Sequence, residues 1–299
     1  MRGAHLSGAD PTVASRLGAM RATGGFRVLA AAVSVAALGS PGYAHAAQTI
    51  PSYSHVVVVV EENHTASSVL GNKDAPFINA LASGGALMTR SYAVAHPSQP
   101  NYLALFAGDT FGVDSDVCPL NLGDAPNLAS ELIAAGRTFG GFSEGLPSDG
   151  SPVCTKGGYA RKHAPWTNFT NVPPSVSKPM GAFTGDGSLP TVSFVVPNLD
   201  DDMHDGSIAA GDSWLAAHLS GYAGWAKANN SLLIVTWDED DDRADNHIAT
   251  IVYGAGVAPG RNDTPVNHYT VLSTIQEVFG LPRTGQAVNT PAIAGIWAP

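Results

Sequence analysis

Three apolar runs in this chain end in acids or amides, and they constrain its fold more than any other feature. "HVVVVV" (His55 to Val60) leads into Glu61-Glu62-Asn63-His64, "TVSFVVPN" leads into "LDDDMHD", and "SLLIVTW" ends in five consecutive acids, Asp238 to Asp242. A β-branched run with no polar alternation suits a strand covered on both faces, as in parallel sheets. Helical patterns lie between the runs. "PSQPNYLALFAG" has Pro near its start and Gly at its end, and "NLASELIAAG", "AGDSWLAAHLSGYAGWAKAN" and "YTVLSTIQEVFG" follow. A short helix is expected around 75–84, with further strands in "ALMTRSYAV", "TFGGFSEGL" and "IATIVYG". This alternation predicts an α/β fold with a mostly parallel central sheet flanked by helices. Residues 147–190, rich in Pro, Gly, Ser and Asn, are expected to be loop without a domain boundary.

Open sheets of this kind bind ligands beyond the carboxyl ends of their strands. Five adjacent acids repel one another unless solvent, a cation or a base compensates. A single acid after a strand is ordinarily solvated, but here acids recur at separate strand ends with apolar residues leading in. Glu62, Asn63, Asp238 and Glu239 are therefore expected to ligate a divalent metal ion through oxygen, with Ca, Mg, Mn and Zn all open. Asp240 to Asp242 are expected to be mostly solvated.

A metal does not name a reaction, and "HPSQPNYL" adds the next part. Ser98 precedes a predicted helix whose first N–H groups and dipole favour an anion. It is either a helix cap or, beside a metal, a nucleophile toward phosphorus. Asn101, one turn on, either donates to a phosphoryl oxygen or packs against the loop. His204 in "DDDMHDG" lies among acids and is either a proton donor or a surface ion-paired histidine. His163 in "YARKHAPW", beside Arg161 and Lys162, marks the one dense basic spot after the leader, suited to an anion or to a solvated turn. His96, His247 and His268 are weaker candidates.

The chain has 299 residues and a formal net charge of -10. Arg2, Arg16, Arg21 and Arg27 precede residue 47 against the single acid Asp10, so the remainder holds 11 basic and 24 acidic residues. Such a surface disfavours nucleic acid as a partner and gains little from an anionic bilayer. Residues 1–46 read as a Sec-type signal peptide, with a basic lead, an apolar stretch from Val28 to Leu38 and a small-x-small site at Ala44-His45-Ala46. Met20 is an alternative initiator. The apolar stretch is too short to span a bilayer, and no later segment is longer, so the mature chain is expected to be secreted with no transmembrane segment. Export favours pairing the two cysteines, Cys118 and Cys154, and the closed loop would add roughly 4 kcal/mol of stability.

These segments in this order resemble the bacterial phosphoesterase family that contains secreted acid phosphatases and phospholipases C. The resemblance rests on Glu62-Asn63 after a strand, "HPSQPNYLALFAG", "YARKHAPW", "PNLDDDMHDG", the "TWDE" strand end and "NHYTVLSTIQEVFGLP". It covers residues 47–299, one catalytic domain, and implies a core similar to the alkaline phosphatase superfamily. By the same motifs Glu62, Asn63, Asp238 and Glu239 would hold the metal and Ser98 would be the nucleophile. His163 and His204 would contact the phosphoryl group. The segment "DDDRADNH" departs from the family by being longer and more acidic, which leaves the role of His247 open. The expected function is hydrolysis of phosphate monoesters, phosphoinositide headgroups among them, through a phosphoserine. A phospholipase C-like phosphodiesterase is the alternative within enzymes, and a calcium-dependent binding protein the alternative outside them.

Overall fold

Five consecutive valines, Val56 to Val60, form the middle of the sheet because they bury side chains on both faces. Val56, Val58 and Val60 enter one core, and Val57 and Val59 the other. The computed structural model describes residues 50–298. The expected leader, its cleavage site and Met20 lie outside the described residues.

The first half of the chain holds β1 (His55–Glu61), α1 (Ala66–Val69), α2 (Pro76–Gly84), β2 (Ala86–Tyr92), α3 (Ser98–Ala107), α4 (Leu128–Ala134) and β3 (Phe139–Ser143). A small hairpin, β4 (Thr155–Lys156) and β5 (Tyr159–Ala160), precedes β6 (Ser177–Pro179) and β7 (Val192–Val196). Then come α5 (Ile208–Ala228), β8 (Ser231–Trp237), β9 (His247–Gly254), β10 (Gly260–Asn262), β11 (Val266–Asn267) and α6 (His268–Phe279). The main sheet has nine strands in the order β10-β2-β9-β8-β1-β7-β3-β6, with β11 also on β2. One core carries side chains of α3, α4 and α6, and the other those of α1, α2 and α5.

The sheet is mostly parallel, as the apolar runs require. The exception is β9, antiparallel to both β8 and β2. Only residues 238–246 connect β8 to β9, too few for a parallel crossover, so the acidic run folds the chain straight back. Residues 147–190 are more ordered than composition suggests: β6 pairs in parallel with β3 and extends the sheet edge. Such short strands carry no readable period.

Helix α3 is buried along its whole length, from Ser98 to Ala107. A helix with no solvated face belongs inside a molecule, and this one places its first residue under the strand ends. It stops at Gly108, which adopts φ 78°, and a Cβ there would lie 2.3 Å from the Thr284 carbonyl oxygen. Cys118 and Cys154 form the expected disulfide. No helix among the described residues is long and apolar enough to cross a membrane.

Candidate active site

Two neighbouring strand ends build the centre. β1 and β8 run parallel with Glu61 paired to Trp237, so Glu62-Asn63 emerges beside Asp238-Glu239. Asn63 takes a left-handed backbone conformation, φ 48°, which turns the chain out of the strand and which asparagine tolerates. Its backbone N–H donates to Asp238 Oδ1 at 3.2 Å, and the Glu239 N–H donates to the same oxygen at 2.6 Å. From below, Ser98 Oγ lies 3.1 Å from Glu62 Oε2 and 3.2 Å from Glu239 Oε1. Pro97, not Ser98, occupies the cap position of α3, and the Ser98 hydroxyl is directed at the carboxylates.

The second oxygen of Glu62 faces a different group. Tyr102 donates its hydroxyl to Glu62 Oε1, and His163 Nε2 is 3.2 Å from that oxygen. His163 Nδ1 lies 3.6 Å from Asp202 Oδ2, and its ring stacks on Tyr102 with centroids 4.9 Å apart. Asp202 also ties the β7 end to β1: its carbonyl accepts the Glu62 N–H at 2.8 Å and its Oδ1 accepts the His204 N–H at 2.8 Å. His204 Nδ1 is 2.8 Å from Asp205 Oδ1, and its ring is 6.4 Å from that of His163. Lys162, next to His163, pairs with Asp116 at 2.7 Å.

Burial dominates the electrostatics. It raises Glu62 well above the usual carboxylate range, helped by Asp238 and Asp202 and opposed by the Tyr102 hydrogen bond. Burial and then Glu239 raise Asp238 likewise, and burial raises Glu239 against the pull of His96. Burial pushes Asp202 up to about 7. His163 is held well below its usual value, by burial first and then by the Lys162 charge, so it is neutral near pH 7.

These residues fit a divalent cation. A hydroxyl has one proton, yet Ser98 lies within bonding distance of two carboxylates. The Asn63 amide is 3.2 Å from the same two oxygens, Glu239 Oε1 and Glu62 Oε2, and donates to them only with its nitrogen turned inward. Asp238 Oδ2, Asp202 Oδ2 and His163 Nε2 are buried without a hydrogen-bond partner. Glu62, His163 and Asp202 bring ligand atoms within 4.8 Å of one another. Buried, unpaired donors rich in oxygen call for a hard cation.

The structure thus brings together Glu62, Asn63, Ser98, Asp238, Glu239 and His163, with His204 at the margin. Asn101 stands apart. Its Oδ1 accepts the N–H groups of Val94 and Ala95 at 2.9 and 3.0 Å, and its Nδ2 donates to the Ala95 and Pro97 carbonyls at 2.8 and 3.3 Å. Both ends of the amide hold the 94–97 segment that feeds α3, the packing alternative noted above. Asp240 corrects an expectation: it is buried, because its carboxylate accepts the N–H groups of Asp242, Ala244 and Asn246 and so shapes the turn into β9. Asp242 is solvated as expected. His247 contacts the Thr89 carbonyl and His268 the Asp238 carbonyl, both as framework. His96, a weaker candidate, is a direct neighbour, with Nδ1 2.6 Å from Glu239 Oε2. Asp202, Tyr102 and Asp116 were not legible as site residues. Asp202 is one of three adjacent acids, and only the backbone shows which one turns inward.

Known proteins share this fold. A solved protein in the alkaline phosphatase superfamily from Vibrio parahaemolyticus superposes with a TM-score of 0.55 at 14% identity, covering 83% of this chain and 72% of that one. The lipoteichoic acid synthase LtaP from Listeria monocytogenes superposes at 0.57 and 9% identity, over 78% and 73% of the two chains. These likenesses show the fold. In sequence, the chain is 56% identical over 274 residues to a phosphatidylinositol-3-phosphatase of Mycobacterium tuberculosis, covering 90% of this chain and 92% of that protein. It is 30% identical over 227 residues to an acid phosphatase of Aspergillus fumigatus, covering 69% of this chain and 51% of that protein. Residues 68–282 match the Phosphoesterase family. The chain belongs to that family and is a phosphoric ester hydrolase.

Proposed function

We propose that this enzyme is a metal-assisted phosphomonoesterase that passes the phosphoryl group through Ser98. The observation that carries this reading is the buried Ser98 hydroxyl, set between Glu62 and Glu239. Glu62, Asn63, Asp238 and Glu239 would hold a divalent ion, with Asp202 and His163 on the other oxygen of Glu62. Such an ion supplies Lewis acidity that lowers the pKa of a nearby hydroxyl.

Ser98 Oγ attacks phosphorus, its proton passing to a neighbouring carboxylate oxygen, and the bond to the ester oxygen breaks. His204, with Nδ1 engaged by Asp205, keeps Nε2 for protonating the departing alkoxide. Water then attacks the phosphoserine, releasing inorganic phosphate and the free hydroxyl. Lys162 is the cation available to the non-bridging oxygens. The start of α3 contributes less than the sequence suggests, because the Gln99 N–H is taken by Asp116 and Pro100 has none.

The substrates we propose are phosphate monoesters, and phosphoinositides with a terminal monoester among them. The relative named as a phosphatidylinositol-3-phosphatase supports the latter. The signal-like leader supports export. The test compares kcat/KM for p-nitrophenyl phosphate, bis-p-nitrophenyl phosphate and a phosphatidylinositol 3-phosphate vesicle. Monoesters should turn over at least tenfold faster than the diester, and Ser98→Ala should abolish turnover while retaining bound metal. Comparable diester turnover would favour a phospholipase C-like reaction. A folded Ser98→Ala with normal kcat would end the nucleophile assignment, and no turnover by the wild type would leave a cation-binding protein.

A further inference from the structure

Asp116 lies outside the acidic strand ends, on the loop closed by Cys118, yet it touches two parts of the site at once. Its Oδ1 accepts the Gln99 N–H at 3.0 Å, in the first turn of α3 and next to the nucleophile. Its Oδ2 accepts from Lys162 Nζ at 2.7 Å, next to His163. The following residue completes the clasp, the Val117 N–H donating to Gln99 Oε1 at 2.8 Å. The side chains are 19% exposed for Lys162 and 27% for Asp116, while the bond itself lies at the exposed rim, so its value is in geometry more than in unscreened charge.

The disulfide ties both sides of this clasp. Cys118 follows Asp116 by two residues, and its partner Cys154 accepts the Arg161 N–H at 2.9 Å through its carbonyl. That bond opens the tight turn Arg161–His163, which carries Lys162. The loop holding Asp116 has no strand of its own between α3 and α4. The acids Glu62 and Asp238 also act on the Lys162 charge, which places it within electrostatic reach of the strand ends.

We infer that Asp116 is a positioning residue of this active site, holding Lys162 where it meets the phosphoryl oxygens and α3 where it presents Ser98, and that the Cys118–Cys154 bridge fastens it there. This rests on the reading of Ser98 and Lys162 given above. Asp116 does not touch the reacting atoms; it acts through the lysine and the helix start. Opening the bridge would therefore weaken substrate capture and not only the fold.

The test is a double-mutant cycle on the purified enzyme, read by KM for p-nitrophenyl phosphate and by competitive inhibition and calorimetric binding of inorganic phosphate. Asp116→Ala and Lys162→Met should each weaken phosphate binding and raise KM by about tenfold, with kcat falling less. The double variant should lose clearly less than the two single losses combined, the remainder over Lys162→Met being the share carried through α3. Asp116→Glu should restore part of the loss. Cys118→Ser, or mild reduction of the folded wild type if that variant does not fold, should show the same rise in KM. Additive effects of Asp116→Ala and Lys162→Met, or a lower Tm for Asp116→Ala with KM and phosphate binding unchanged, would overturn the positioning role. An opened bridge with wild-type KM would overturn the fastening. Normal turnover by Ser98→Ala would instead remove the nucleophile reading, while the phosphate-binding cycle would still decide the clasp.

Discussion

Asp238 Oδ2 is buried with no partner, whereas both oxygens of Asp240, two residues on, receive backbone N–H groups. One carboxylate keeps an oxygen unsatisfied and the other is used up by a turn. Asp238→Asn should therefore strip most of the metal and with it the activity. Asp240→Asn should instead cost about 2 kcal/mol of stability, through weakened charge-assisted hydrogen bonds, with metal stoichiometry near normal. Asp242→Asn should change neither. Elemental analysis beside urea denaturation of the three variants checks this, and equal metal loss in all of them would show the run to act as one site.

At the scale of elements, the helices differ in how their first turns are satisfied. α4 and α6 cap themselves through Asn127 and Asn267 in reciprocal capping boxes. α2 begins after Ala75, which has no capping side chain, and borrows one: Asp212 of α5 accepts the Phe77 and Ile78 N–H groups at 3.1 and 2.8 Å. Asp212→Ala should lower stability by about 1–2 kcal/mol, the usual loss of a cap. Because this contact lies in the core on α2 and α5, kcat should remain within a factor of two, as steady-state kinetics beside thermal melts would show. A large fall in kcat with an unchanged Tm would contradict a purely architectural role. α3 differs again, since its first side chain, Ser98, faces two carboxylates and Asp116 accepts the Gln99 N–H.

For the whole molecule, metal and pH are linked. Burial raises Glu62, Asp238 and Glu239 and puts Asp202 at about 7, so the metal-free protein holds protons that the unfolded chain would release. For Asp202 this stabilisation is complete below about pH 4, the unfolded value, and is lost as pH rises through about 7. A divalent ion acts in the opposite sense by replacing those protons. Metal addition should therefore raise Tm more at pH 7 than at pH 5, and binding should release protons. Melts with and without chelator, and calorimetry in buffers of different ionisation heat, measure both. A Tm increment independent of pH with no proton release would show that the carboxylates are already ionised without metal.

The central strands and the clustering of acids at their ends were legible in the sequence for one reason. An unbroken apolar run must be covered on both faces, and the polar residues that follow must emerge at the strand end. The motifs around Ser98, His163 and His204 were legible because each is a compact local segment. Long-range geometry decided the rest. The register of β1 against β8 put Glu62 beside Asp238, and the short acidic connection forced β9 to run antiparallel. Which acid of a cluster turns inward depends on backbone torsions and on partners far away in the chain, so Asp202, Asp240 and Asp116 acquired their places only in the folded chain. Ser98 shows the division most plainly. The sequence left its hydroxyl a cap or a nucleophile, and no local segment encodes that it points at Glu62 and Glu239, a direction set by the packing of α3 beneath two strand ends.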